Sequence, residues 1–299
     1  MPSNQSLAGL LCTIGFVLWT AVGSAAAEDA KGWRADLMAR APVASPDSIP
    51  KGSSLWRAHE RGKLIYGGGK TQKLFSVENP LTGELEGFDA TIALLLAKYL
   101  TGGANVQTVV VTTATREGLL QNGSVDAVIF TYGITDPRKK VVDFAGPYFL
   151  SNETIATLEK SPKIDTIEEL AGKSVCGTKG GNMVREIQAR SIPTASLLTV
   201  DTSTECEAML RAGRVDAEVQ TRPVLLGQFE RGGLYLSPNN YGTADFGIGL
   251  PKGDPAVIAF LDHWIAEIVK SGIWSEAFKN TIGRVPLARE SDFIPSIPK

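Results

Sequence analysis

The chain has 299 residues, 43% of them hydrophobic and 21% charged, with a formal net charge of -2. That near-balance gives no electrostatic reason to expect nucleic acid or an anionic membrane surface as a partner. No collagen-like, coiled-coil or low-complexity bias is present, and the length suggests about two domains.

The N-terminus is the first informative segment. Leu7 to Val22 is uncharged and largely apolar, and Ala25-Ala26-Ala27 follows it. A small-x-small triplet after a short apolar run reads as a secretory signal, 1–27, cleaved after Ala27. No Lys or Arg precedes the run, and about 16 apolar residues fall just short of a bilayer span, so an uncleaved anchor is the other reading. Cys12 lies inside the apolar run rather than after it, which argues against a lipidated cysteine. Removing the signal leaves Cys176 and Cys206, and an even count in an exported chain favours one disulfide. With only His59 and His263 as histidines and no zinc spacing among the cysteines, no metal and no cofactor are expected.

Residues 28–54 are rich in Ala, Pro, Ser and charge, and read as a tether or loosely docked arm. Regular structure is expected from Leu64, with a strand ended by Gly67-Gly68-Gly69. A helix is then predicted over Leu85–Leu100, where Phe88, Ile92, Leu95, Leu96 and Tyr99 recur at helical spacing. Val106 to Val111 is strand-like. Near the C-terminus Asp254 and Pro255 mark a helix start. Val257, Ile258, Leu261, Trp264, Ile265, Ile268 and Val269 form its apolar stripe, and Gly272 its end.

An internal repeat organises the middle of the chain. Glu117, Leu120, Gly123, Val125, Asp126 and Ala127 recur 90 residues later as Glu207, Leu210, Gly213, Val215, Asp216 and Ala217. Each copy reads as a helix end, a left-handed glycine and a strand start, so two α/β lobes on one plan are expected. Ligands of open α/β sheets bind beyond the carboxyl ends of the strands. That places Thr131 to Arg138 and Gln220 to Pro223 on the two sides of a cleft.

Glu86-Gly87-Phe88-Asp89, Leu119 to Gly123, Val125 to Ile129, Val142 to Tyr148 and Gly247 to Gly253 resemble segments of a known family. They are similar, in the right order, to the polar amino-acid-binding proteins of bacterial ABC importers (solute-binding protein family 3), in their glutamate/aspartate/glutamine branch. The resemblance implies an α/β, two-lobed periplasmic-binding-protein-like fold, with a ligand cleft between lobes joined by two crossover strands. Lobe 1 would be 55–149 plus 246–299, and lobe 2 150–245. It also implies a non-enzymatic, monomeric receptor, exported to the periplasm or the outer face of the cell membrane. Such a receptor hands a small acidic amino acid, glutamate, aspartate or glutamine, to a membrane permease.

By the same resemblance, Arg138 grips the ligand carboxylate, a task its planar donors suit. Thr131 and the Gly133 backbone add contacts, Thr113 and Arg116 face the side-chain carboxylate, and Lys70 and Phe75 line the cleft. For Arg116 and Lys70 a solvated side chain is the alternative, and for Phe75 core packing. The chain departs from the family at Gly133 and Asn182, where hydroxyl residues are usual, and at Thr221, which replaces the aspartate that pairs with the ligand ammonium. Arg222 follows Thr221. A buried ammonium without a carboxylate costs several kcal/mol. Either another carboxylate reaches the cleft, or the ligand is an amine-free dicarboxylate. A ligand-sensing signalling protein and a dehydratase-type enzyme are further alternatives, the latter with Glu153 or Glu218 as acid or base; Glu218 is expected to face solvent.

Overall fold

The computed structural model describes residues 32–296, so the signal and its cleavage after Ala27 lie outside the described residues. Residues 32–40 form helix α1, and Ser54–Arg61 form α2. Strand β1 (Leu64–Gly68) leads into a small sheet of β2 (Thr71–Gln72), β3 (Ser76–Glu78) and β4 (Leu85–Glu86). Then come α3 (Phe88–Thr101), β5 (Val106–Val110), α4 (Arg116–Gln121), β6 (Ala127–Val128), α5 (Asp136–Lys139) and β7 (Asp143–Phe149). Lobe 2 carries β8 (Glu153–Leu158), β9 (Ser174–Thr178), α6 (Asn182–Ala189), β10 (Ser196–Val200) and α7 (Ser203–Arg211). It continues through β11 (Ala217–Thr221), α8 (Arg222–Phe229) and β12 (Leu234–Leu236). The chain returns to lobe 1 as β13 (Phe246–Leu250), α9 (Pro255–Lys270) and α10 (Ile273–Asn280).

The two main sheets follow one plan. Lobe 1 has the order β5-β1-β6-β13-β7 and lobe 2 the order β10-β9-β11-β8-β12. In each, the first three strands are parallel, and the fourth, antiparallel strand has just crossed from the other lobe. The crossing segments run side by side: Ala244 N donates to Ser151 O at 2.8 Å, and Ser151 N to Asp245 Oδ1 at 2.8 Å.

The repeat read from the sequence has a structural meaning. Asp126 Oδ2 accepts from Ile65 N, and Asp216 Oδ2 accepts from Ser174 N, each at 2.8 Å. In both lobes this aspartate ties the strand it opens to the start of the parallel neighbour. Gly123 (φ 72°) and Gly213 (φ 67°) make the left-handed turn before it, where a Cβ would cost about 1–2 kcal/mol. Cys176 of β9 and Cys206 of α7 form a disulfide in lobe 2.

Lobe 1 holds the larger core, and the expected stripe of α9 lies in or against it. Two local readings change. Leu85-Glu86 pair with β3 as a strand, so helix α3 starts at Phe88 rather than Leu85. The segment expected to be a tether or loosely docked arm is packed down from residue 32: Leu37, Ala41, Ala44 and Ile49 are buried in the lobe 1 core. Ala44 N donates to Tyr99 O at 2.8 Å. Small alanines allow that close approach, and the same alanines make the stretch look like a linker in composition.

Candidate functional site

A cavity of about 150 Å3 lies where the carboxyl ends of the two sheets face each other. Lys70, Thr113, Arg116, Thr131, Gly133, Arg138, Asn182 and Thr221 all line it. Of the residues to which the resemblance gave a ligand-facing place, only Phe75 does not. Its ring is fully buried between Phe149 and Phe246, with centroids 5.6 and 5.8 Å away, so it supports the crossing strands from behind.

Arg138 is the charged centre of the cavity and is 3% exposed. Pro137 in the short helix α5 sets up the turn that carries it. Its Nη1 donates to Gly133 O at 2.7 Å in lobe 1, and its Nη2 to Gly180 O at 3.2 Å in lobe 2. Two of the guanidinium's five N–H groups are therefore satisfied by backbone, one from each lobe. Nε is buried without a hydrogen bond; Glu117 Oε1 is 3.4 Å away but poorly aligned. Burial draws the Arg138 pKa down, which raises the value of an incoming anion.

Arg116 lies deeper, 2% exposed, with its guanidinium 3.8 Å from the Tyr132 ring centroid and Nη1 donating to Phe130 O at 3.0 Å. Burial, and then the nearby Arg138 charge, lower its pKa to about 9. The reading as a solvated helix-start arginine does not fit this position. Lys70 pairs instead with Glu78, 2.6 Å away, so its charge is largely spoken for.

Thr131 sits at φ 39°, a region that β-branched residues avoid. Asp89, at the start of α3, holds it there: Thr131 N and Tyr148 OH donate to the two Asp89 oxygens at 2.7 and 2.8 Å. Asp89 is fully buried, and burial raises its pKa to about 7.

The departures at Gly133 and Asn182 are linked. A Cβ on Gly133 would stand 3.1 Å from Asn182 Nδ2 and 3.2 Å from Arg138 Nη1. The larger asparagine amide occupies the room that a serine or threonine at 133 would take. Arg222 turns away from the cavity and donates to Ser237 O at 2.9 Å, so it joins no ligand contact here.

Sequence reasoning placed Glu153 only as a candidate acid or base; the structure puts its carboxylate in the cavity wall. The register of β8 against β11 makes it the direct partner of Thr221, and it is 6% exposed. Burial raises its pKa to about 7, opposed by the Asn182 amide and the Arg138 charge. Asp201, Thr202 and Ser203 at the start of α7 also line the cavity and were not singled out; the only sequence signal was the repeat itself. Glu218 is a correction. Expected to face solvent, it is 1% exposed behind the cleft, accepting from Ser203 Oγ and Gln228 Nε2. Among the described residues no cluster of His, Cys, Asp and Glu could hold a metal ion.

Two lobes hinged by paired crossing segments, with a buried arginine bridging them over a small polar cavity, define a solute-capturing receptor. The model of the bacterial extracellular solute-binding proteins, family 3, matches residues 64–284, and the chain belongs to that family. It is a binding protein rather than an enzyme. It is 31% identical over 239 residues to the ABC transporter glutamine-binding protein GlnH of Bacillus subtilis (strain 168), covering 79% of this chain and 87% of that one. It is 34% identical over 203 residues to the glutamine-binding protein of Geobacillus stearothermophilus, covering 67% and 77%. The solute receptor for L-cysteine of Neisseria gonorrhoeae superposes with a TM-score of 0.75 at 24% identity, over 81% of this chain and 99% of that one, which shows the shared fold.

Proposed function

We propose that the protein captures a polar α-amino acid of the size of glutamine or glutamate between its lobes, outside the cytoplasm, and delivers it to the permease of an ABC importer. The observation that carries this reading is Arg138. It is buried, tied to one carbonyl from each lobe, and left with Nε unpartnered at the cavity wall. A ligand carboxylate supplies the missing acceptor and completes the balance of a buried charge that Glu117, 3.4 Å away and poorly aligned, offsets only in part. The cavity, about 150 Å3, is small even against ordinary small-molecule pockets and suits one compact polar solute. The glutamine-binding relatives support the choice of side chain. Arg116 at the cavity wall, with its Nε unpartnered, gives a place for a side-chain carbonyl or carboxylate oxygen.

The test is a thermal-shift and calorimetric panel of glutamine, glutamate, aspartate, cystine, arginine and 2-oxoglutarate. Glutamine or glutamate should stabilise the protein most, and Arg138→Ala should remove the effect while the unliganded variant stays folded. Equal binding by that variant would remove Arg138 from the site.

A further inference from the structure

We infer that Glu153, rather than Thr221, receives the ligand's ammonium group and makes the site select amino acids over amine-free acids. This deepens the proposed function and rests on it.

The argument begins with strand register. Glu153 of β8 and Thr221 of β11 are opposite one another in an antiparallel pair, and both line the cavity. Residues so paired project to the same face, with Cβ atoms about 5 Å apart. A carboxylate moved from one to the other therefore still reaches the same region, and the longer glutamate spans the small difference. Thr221 leaves room for it.

The second step is charge. Glu153 is 6% exposed, and among the described residues no Lys, Arg or His nitrogen forms an ion pair with it. The charged groups that bear on it are Arg138 of α5, which the ligand carboxylate claims, and Glu186 of α6, which repels. Asn182 of α6 is its polar neighbour. The buried Thr221 hydroxyl also has no partner. The cavity thus presents a buried guanidinium with an unused donor, a buried carboxylate without a counter-ion and a free hydroxyl. That set is complementary to a zwitterion: carboxylate to Arg138, ammonium to Glu153 with Thr221 as a further acceptor. A dicarboxylate without an amino group would make Glu153 the third negative charge in the cavity, or force it to hold a proton.

This assignment makes binding proton-linked with opposite signs for the two ligand classes. With the Glu153 pKa raised to about 7 by burial, an ammonium ligand binds the ionised form and expels a proton. Amino-acid affinity then falls as pH drops below about 7, by up to tenfold per pH unit, whereas an amine-free acid does not lose affinity there.

The experiment is calorimetry on the wild type, Glu153→Gln, and the double variant Glu153→Gln/Thr221→Asp, with glutamine, glutamate and 2-oxoglutarate as probes at about pH 6 and about pH 8. Glu153→Gln should weaken amino-acid binding about a hundredfold or more and spare 2-oxoglutarate or improve it. The double variant, with its carboxylate returned to the neighbouring strand, should recover at least tenfold of the loss. Glu153→Gln should melt no lower than the wild type without ligand, since it removes an uncompensated buried carboxylate. Amino-acid affinity in Glu153→Gln within about threefold of wild type would overturn the assignment. So would a wild type that binds 2-oxoglutarate and no amino acid. A wild type that binds none of the three would overturn the proposed function itself, and this inference with it.

Discussion

Lys73 Nζ in lobe 1 lies 3.5 Å from Glu207 Oε2 in lobe 2, across the lobe interface and outside the ligand cavity. Beside it Thr204 Oγ1 donates to Thr71 O at 3.1 Å, and Val224 and Leu226 of α8 pack into the core shared with lobe 1. These contacts exist only when the lobes are together, so they add to the free energy of closure and hence to ligand affinity. Glu207 keeps Arg211 as a partner at 2.9 Å, so removing Lys73 does not strand its charge. Lys73→Ala should weaken ligand binding about two- to fivefold, or ~0.5–1 kcal/mol, a modest loss for a largely buried pair because Arg211 still balances Glu207. Its unliganded melting temperature should not move. Calorimetry and small-angle scattering check this, and unchanged affinity would mean closure does not use the pair.

Gly133→Ser restores the hydroxyl usual at this position of the family, yet it should harm binding. The new Cβ would stand 3.1 Å from Asn182 Nδ2 and 3.2 Å from Arg138 Nη1, so one of two ligand-facing groups must shift. A loss of about tenfold to a hundredfold is expected, since a displaced charge-assisted hydrogen bond is worth about 1.5–3 kcal/mol. Gly133→Ser combined with Asn182→Thr should regain most of it. If the single variant binds as well as wild type, the two positions are independent.

What was legible in the sequence was what depends on local chemistry. Asp126 and Asp216 each follow a helix-ending glycine, and that turn chemistry announced two lobes before any sheet was known. Arg138 stood between two segments that resemble the family, Val125 to Ile129 and Val142 to Tyr148. Glu153 was not legible as a ligand group, because its meaning comes from its register against Thr221, which no spacing encodes. Glu218 and Phe75 failed in opposite directions. A charged residue in a strand reads as solvent-facing until Ser203 and Gln228 are seen to bury it, and an aromatic after a glycine loop reads as cleft-lining until Phe149 and Phe246 enclose it. The packed arm at 32–54 was hidden by its small residues, whose burial shows only against Tyr99 and the lobe 1 core.

The Cys176–Cys206 disulfide ties β9 to α7 behind the cleft and closes a loop with a sequence separation of 30. By loop-closure entropy, losing it should destabilise the protein by roughly 3–4 kcal/mol. Both sulfurs are fully buried in the lobe 2 core, so a Cys176→Ala/Cys206→Ala variant also leaves a cavity where they stood, which adds to the loss. Denaturant titration should show the loss, while ligand affinity at 25 °C changes little because neither cysteine lines the cavity. A variant of wild-type stability would mean that the unfolded chain is not restricted by this bridge.

Glu218 should make stability fall as pH rises. Burial raises its pKa to about 8 in the folded protein, with Ser203 and Gln228 and the Arg211 charge opposing, and Glu207 adding to the rise. Between the ordinary carboxylate range and that value the unfolded chain has released the proton while the native state still holds it, so unfolding is increasingly favoured as pH increases through the window. Asp89 and Glu153, both raised to about 7, contribute slopes of the same sign, so the wild-type slope alone does not isolate Glu218. Glu218→Gln does. It retains the Oε1 acceptor for Ser203 Oγ and Gln228 Nε2 and replaces the protonated oxygen with an uncharged amide. Its stability should match the wild type near pH 5 and exceed it by a growing margin toward about pH 9. A difference that stays constant across that range would mean Glu218 is ionised throughout, with its charge balanced by Arg211 rather than relieved by a proton.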